Sequence, residues 1–300
     1  KEVRLKNGVT GLLIDIPQAQ VMNYDFSLRA GYYLAEEGKW ETPHVMEHLL
    51  CGANQKYRKA RTFEAEVKKN GAYTNAYTST YNVGYVGECA DFEWDRILDL
   101  LLLSISQPMF LQEEFTAEMG NVREELTGYL TNYFRQLGVA LSERVGFLVT
   151  SDRKRLSGLK DLTIDDVRKH YKKTHHLGNT KFVIAGNLKG RRDEIIQTIE
   201  KKLQLPEGDL IDLPATVFKK QTSPLYIENT TVESLYVSFS MLLPRRASEA
   251  EIDALNALNN MLSGTMNSLI LGDIRERGLA YHIWSSGSRG HDYTVWDFDF

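Results

Sequence analysis

Two stretches of the chain, one starting at Met22 and the other at Ser234, run through the same order of features: an alternating strand, a helix and a closing glycine. In the first, Met22, Tyr24, Phe26 and Leu28 alternate with Asn23, Asp25, Ser27 and Arg29, the period of two expected of a strand with one buried face. In the second, Ser234, Tyr236, Ser238 and Ser240 alternate with Leu235, Val237, Phe239 and Met241. The helix that follows reads His44-Val45-Met46-Glu47-His48-Leu49-Leu50-Cys51-Gly52 in one copy. In the other it reads Asn256-Ala257-Leu258-Asn259-Asn260-Met261-Leu262-Ser263-Gly264. Asn256, Asn259 and Asn260 thus stand where the first copy has His44, Glu47 and His48, so only one copy carries ionisable ligands. Between the copies, Leu205–Pro224 holds Pro206, Gly208, Pro214 and Pro224 with little periodicity, which predicts a linker.

The remaining pattern is of strands in runs and helices in blocks. Val9–Ile16, Tyr81–Cys89 and Lys181–Ala185 read as strands. Phe92–Ser106, Gln112 to about Val149, Thr163–Lys173, Arg191–Leu203 and Ser248–Leu262 read as helices, with Thr163 and Asp166 as a capping pair. That order predicts an α+β fold of two homologous domains, each a mostly antiparallel sheet packed with helices. The expected boundaries are 1–205 for the first domain, 206–224 for the linker and 225–300 for the second. The second is expected to be incomplete, because the chain stops inside a strand (Val295, Trp296, Phe298, Phe300) and a full domain would need about 100 more residues.

Composition removes several classes of function. With 36 basic and 40 acidic residues and no Lys/Arg-dense stripe, neither nucleic acid nor an anionic membrane is an expected partner. Cys51 and Cys89 are the only cysteines, too few for a disulfide scaffold, and are expected to be buried, inert thiols. The longest apolar stretch, around Ile97–Ile105, is too short to span a bilayer. The sparse cysteines favour the cytoplasm or an organelle matrix, and the start at Lys1 without Met leaves room for a removed leader.

The chemistry concentrates in His44-x-x-Glu47-His48. Thr42 suits an N-cap and Pro43 the first helical position. On such a helix His44 and His48 lie one turn apart with Glu47 beside them, while Val45, Met46, Leu49 and Leu50 take the opposite arc. Two imidazoles on one face can grip a Zn²⁺ ion, and the carboxylate can take a proton from a water polarised there. A zinc site needs a third protein ligand. Phe115, Met119, Val122, Leu126 and Tyr129 make an apolar stripe on the following helix, with Glu118 and Glu125 at its edge and Glu124 on the solvent side. Carboxylates seldom face a core without a partner, so Glu125 is the better ligand and Glu118 the better candidate to orient a ligand. His175-His176 lacks an acid at ligand spacing and is expected to lie in a loop.

These features resemble the pitrilysin/insulinase family of zinc metallopeptidases, the inverted zincins, which includes the mitochondrial processing peptidase. The resemblance rests on His44–His48, on Asn70-Gly71-Ala72-Tyr73-Thr74-Asn75-Ala76-Tyr77-Thr78-Ser79 and on Glu118-Met119-Gly120-Asn121-Val122-Arg123-Glu124-Glu125. It extends to Phe182-Val183-Ile184-Ala185-Gly186 and Arg277-Gly278-Leu279-Ala280-Tyr281. It implies Zn²⁺ held by His44, His48 and Glu125, with Glu118 as the second acid and Glu47 as general base. It implies a second domain without metal ligands that supplies Tyr281 and an Arg near the substrate carbonyl. Arg275 fits that Arg, with Arg277 as the alternative because the stretch is about one residue shorter than usual. Where the family has small residues before the first His, this chain has Glu41-Thr42-Pro43.

The expected activity is therefore hydrolysis of extended peptides by a zinc endopeptidase. The substrate would lie as an added strand along Ala72–Thr78, with Asn75 and Ala76 as contacts. A homodimer, or a heterodimer with a related subunit, is compatible with the family. A non-catalytic partner or scaffold of the same fold is the alternative, since fold alone does not fix function. A zinc hydrolase of small amides is a third option.

Overall fold

The computed structural model describes residues Lys1–Phe300. In chain order the elements are β1 (Glu2–Arg4), β2 (Thr10–Asp15), β3 (Val21–Leu28), α1 (Thr42–Leu50), α2 (Ala60–Lys68), β4 (Tyr73–Thr78), β5 (Val83–Ala90), α3 (Trp94–Ser106) and α4 (Gln112–Tyr129). Then come α5 (Tyr133–Val145), α6 (Asp152–Gly158), α7 (Ile164–Thr174), β6 (Thr180–Gly186), α8 (Arg192–Lys202), β7 (Ser238–Leu243), α9 (Glu249–Ser263), α10 (Leu269–Glu276), β8 (Trp284–Arg289) and β9 (Thr294–Asp299). They form two compact units, Lys1–Leu130 with Asp152–Leu213, and Thr131–Ser151 with Pro214–Phe300. No helix is long and apolar enough to cross a membrane.

The first unit is built on a six-stranded sheet in the order β1-β2-β6-β3-β5-β4. Only β2 and β6 run parallel. The alternation in β3 is realised: Met22, Tyr24, Phe26 and Leu28 are buried, and Asn23, Asp25, Ser27 face the other way. Tyr85 and Phe182 join the buried face, and Phe26 stacks on Phe182. Val45, Met46, Leu49 and Leu50 of α1 and Ile97, Leu98, Leu101, Leu102 and Ile105 of α3 complete this core. The sheet edge at β4 pairs with β5 alone.

The turn between β4 and β5 is held by main chain. The amides of Gly31, Tyr32 and Tyr33 donate to the carbonyls of Tyr81, Ser79 and Thr80. A Cβ on Gly31 would meet the Ser79 carbonyl oxygen, and would come within 2.7 Å of the Asn82 nitrogen, so only glycine permits this approach.

Several sequence expectations need correction. The helical region expected from Gln112 to Val149 is two helices. Asn132 interrupts it by accepting a hydrogen bond from the Arg135 amide and so capping α5, which then ends at Gly146 in the left-handed region. The α5 segment belongs to the second unit, not the first. The helix expected to be capped by Thr42 starts at Thr42 instead, with Glu41 in the cap position and the Thr42 hydroxyl donating to the Lys39 carbonyl. Cys89 is buried as expected, but Cys51 ends α1 and is exposed. Residues Ser234–Val237 precede β7 instead of forming part of it.

His175 and His176 lie in the loop after α7, as expected, with His175 as the fully buried C-cap of that helix. Its ring stacks on Tyr171, with Nε2 2.9 Å from the Tyr85 hydroxyl and Nδ1 3.0 Å from Thr174 Oγ1. Because Thr174 Oγ1 donates its only proton to the His170 carbonyl, it accepts from His175 Nδ1, and Tyr85 donates to Nε2. The chain of hydrogen bonds is complete without any charged group. One turn earlier His170, also buried, donates from Nε2 to the Ala30 carbonyl at 2.7 Å.

In the second unit β7-β9-β8 form an antiparallel sheet. The α9 helix opens on a capping box between Ser248 and Glu251. Phe147, which follows α5, meets Phe218 and Tyr293 edge-on, and the Lys219 amide donates to the Val145 carbonyl. Of the three asparagines aligned with the histidine motif, Asn259 is buried and accepts from Trp296 Nε1, while Asn256 and Asn260 are exposed.

Two predictions follow from this packing. Burial pushes the His170 imidazole down to about 4. Between its unfolded value near 6.5 and that figure, the unfolded chain binds the extra proton, so stability is lost as pH falls through this window. The full loss assigned to this one group is about 3 kcal/mol. His170→Gln, which keeps a donor for Ala30, is expected to flatten the decline in urea midpoint between pH 7 and pH 4; an unchanged decline rejects the assignment. Gly31→Ala is expected to cost about 1–3 kcal/mol through overpacking against the Ser79–Asn82 turn, read from urea unfolding at pH 7.

Candidate metal centre

The site is built on α1, a nine-residue helix of which eight residues are buried. Its apolar arc enters the core, which fixes the opposite arc, bearing His44, Glu47 and His48, against α4 and β4. One ligand atom from each of the three side chains lies within 4.8 Å of the other two. The rings of His44 and His48 stand edge to face with centroids 4.7 Å apart.

Each imidazole is oriented through Nδ1 by its own carboxylate. His44 Nδ1 lies 2.8 Å from Glu41 Oε2, and His48 Nδ1 lies 2.8 Å from Glu118 Oε2. An ionised carboxylate only accepts, so both Nδ1 atoms donate and both Nε2 lone pairs point inward. Those Nε2 atoms are 3.2 Å apart, and Glu125 Oε2 is 3.4 Å from His44 Nε2. A cation placed beside His44 Nε2 could draw on the lone pairs of both imidazoles and of the Glu125 carboxylate. Tetrahedral zinc with bonds of about 2.0–2.1 Å sets its ligand atoms about 3.3 Å apart, and both observed separations match. The residues present therefore fit a zinc ion.

The surrounding groups tune these side chains. Glu118 also accepts from Asn121 Nδ2 at 3.0 Å. The hydrogen bond from His48 is the main cause that holds the Glu118 carboxyl below its usual value. Burial opposes charge on His48, but the Glu118 hydrogen bond and the charges of Glu47, Glu118 and Glu125 outweigh it and raise that imidazole. Tyr129 donates its hydroxyl to Glu125 Oε1, fixing the carboxylate from within α4. Thr78 Oγ1, at the end of β4, donates to Glu47 Oε2 at 2.9 Å. Glu41 is 1% exposed, and its burial would raise the carboxyl. Hydrogen bonds from His44 and Arg155, with the Arg155 charge, reverse that and leave it lowered.

The sequence-derived candidates divide into two groups. His44, Glu47, His48, Glu118 and Glu125 are brought together, and Glu124 is exposed on the far side of α4. Asn75 and Ala76 lie on edge strand β4, Asn75 exposed and Ala76 buried. Arg275 and Tyr281 lie in the second unit and contact each other. Arg275 Nη1 donates to the Tyr281 carbonyl at 3.0 Å, its guanidinium sits 4.4 Å from the ring centroid, and Tyr281 is 80% exposed. Sequence reasoning missed Glu41 as a partner of His44, although its spacing of three residues on one helix carries the signal. It also missed Arg155 and Thr78, whose sequence separations of 114 and 31 from Glu41 and Glu47 leave no local signal.

Residues 36–143, which contain all of the clustered His and Glu candidates, match the family model of the Insulinase (Peptidase family M16). Residues 161–300 match that of the Peptidase M16 inactive domain. A Rickettsia felis protein named an uncharacterized zinc protease is 23% identical over 303 residues, spanning 97% of this chain and 71% of the relative. The Bacillus subtilis uncharacterized zinc protease YmxG is 24% identical over 308 residues, with the same coverage of 97% and 71%. Among solved structures, a protease from Helicobacter pylori superposes with a TM-score of 0.79 at 19% identity, covering 100% of this chain and 74% of that one. A peptidase M16 inactive domain from Pseudomonas fluorescens gives 0.78 at 15% identity, covering 100% and 73%. At these identities the structural likeness is one of fold. With both M16 family models matched in sequence order and full-length relatives named zinc proteases, the chain belongs to the pitrilysin/insulinase family of peptidases.

Proposed function

We propose that this protein is a zinc-dependent endopeptidase that hydrolyses extended peptides. The observation that carries the reading is the convergence of His44 Nε2, His48 Nε2 and Glu125 Oε2 at separations of 3.2 and 3.4 Å, with Glu47 alongside. Those three side chains would hold the ion. When bound, zinc supplies a Lewis acid that polarises a carbonyl and makes water acidic enough to react near neutral pH.

The chain's own residues do the rest. Thr78 Oγ1 occupies Glu47 Oε2, which orients the carboxylate and leaves Oε1 to take a proton from the attacking water. As the C–N bond breaks, Glu47 returns that proton to the departing amine nitrogen, and the water oxygen remains on the new carboxyl group. The free edge of β4 offers main-chain groups to an extended segment, so conformation is selected more than sequence, with Asn75 and Ala76 as contacts. Arg275 and Tyr281 are assigned to the charge developing on the carbonyl oxygen by the family resemblance alone.

A second reading is a non-catalytic partner of the same fold, favoured by the match of residues 161–300 to a domain described as inactive. Against it stands the complete His and Glu set in residues 36–143. Glu47→Gln separates the two. It is expected to keep zinc and to lower cleavage of a quenched peptide by about 10²–10⁴-fold; undiminished turnover removes Glu47 as the base, and a parent that binds zinc without cleaving any peptide supports the partner reading. Glu125→Gln is expected to lower bound zinc far more than Glu124→Gln, measured by metal analysis after dialysis. Equal losses would refute Glu125 as the third ligand.

A further inference from the structure

The Glu41 carboxylate occupies the N-cap position of α1 but caps nothing; both its oxygens are spent elsewhere. Oε1 accepts from Arg155 Nε at 2.5 Å, and Oε2 accepts from Arg155 Nη2 at 3.1 Å and from His44 Nδ1 at 2.8 Å. A buried carboxylate is tolerated only when compensated, and the two-pronged Arg155 pair supplies that compensation. Arg155 is itself immobilised. Nη1 donates to Asp152 Oδ1 at 3.2 Å and Nη2 to the Tyr32 hydroxyl at 2.8 Å, while the guanidinium lies 4.9 Å from the Tyr32 ring centroid. His44 thus receives an acceptor whose position is set from α6 and from the segment after β3, not from α1 alone.

We propose that Glu41, held by Arg155, is a positioning residue that fixes His44 as the Nδ1–H tautomer and aims its Nε2 lone pair at the metal centre. The inference rests on the reading of His44 as a zinc ligand, and it assigns the two imidazoles different supports. His48 is oriented by Glu118, which is partly exposed and has a neutral Asn121 partner. His44 is oriented by a buried carboxylate neutralised by Arg155. The Arg155 donors also make the carboxylate irreplaceable by its amide. In Glu41→Gln the amide oxygen is drawn to Arg155, and the NH₂ group then faces His44 Nδ1, favouring the tautomer with the proton on Nε2, where it blocks a metal.

The test uses the 300-residue chain with ¹⁵N-labelled histidine, first free of metal at pH 8 and then titrated with zinc against a chelator. In the parent, His44 is expected to show a protonated Nδ1 and a bare Nε2. In Glu41→Gln the Nε2–H form should rise and zinc affinity fall about 10–100-fold. Arg155→Met, which touches no ligand, should move both readouts in the same direction by a smaller factor, and it decides the matter if Glu41→Gln does not fold. A parent His44 protonated on Nε2, or variants that melt normally with tautomer unchanged and affinity within threefold, would overturn the proposal. A parent with the expected tautomer that binds no zinc would instead sink the peptidase reading and leave the positioning role of Glu41 standing.

Discussion

Nearly all of α1 is buried, yet one arc of it carries two imidazoles and a carboxylate, with a second carboxylate at its cap. Buried polar groups are tolerated only when each has a partner, and here the partners come from three elements of the first unit, α4, α6 and β4. Arg155 on α6 answers Glu41, Glu118 on α4 answers His48, Thr78 on β4 answers Glu47, and Glu125 on α4 approaches His44. The fold of the unit can be read as the scaffold needed to bring those partners to one short helix. Remove Arg155, Glu118 or Thr78 and a desolvated polar group loses a partner, which costs more than the lost contact itself.

The features visible in the sequence were those with a local period. The alternation of β3, the apolar stripe of α4 and the capping pair at Thr163 and Asp166 all appear in the structure, because each depends on neighbours a few residues apart. The placement of Glu125 toward the histidines and of Glu124 away from them followed from the helical wheel for the same reason. What escaped was set by distant contacts. The break before α5 turns on one capping asparagine inside an otherwise helical pattern. The burial of His175 depends on Tyr85 from the sheet, and the support of His44 depends on Arg155, neither of them near in sequence.

The second unit shows what the same plan becomes without charged ligands. Asn259, aligned with Glu47, is buried and spends its side-chain oxygen on the Trp296 indole, a structural hydrogen bond that ties α9 to β9. An amide can be satisfied there by one neutral donor, whereas the carboxylates around α1 require an arginine, imidazoles or a hydroxyl to offset their charge. The contrast confines the clustered ionisable side chains to the first unit.

Under the proposed peptidase function, the unpaired margin of β4 would bear on which proteins are open to attack. A segment already folded into a helix or an interior strand has committed its amides and carbonyls and has none to offer to that margin. Native globular proteins would thus be spared by their own internal bonding, while loose tails, unfolded chains and short fragments would not. Resistance would be a property of the target's conformational state, and a passing loss of structure would be enough to forfeit it.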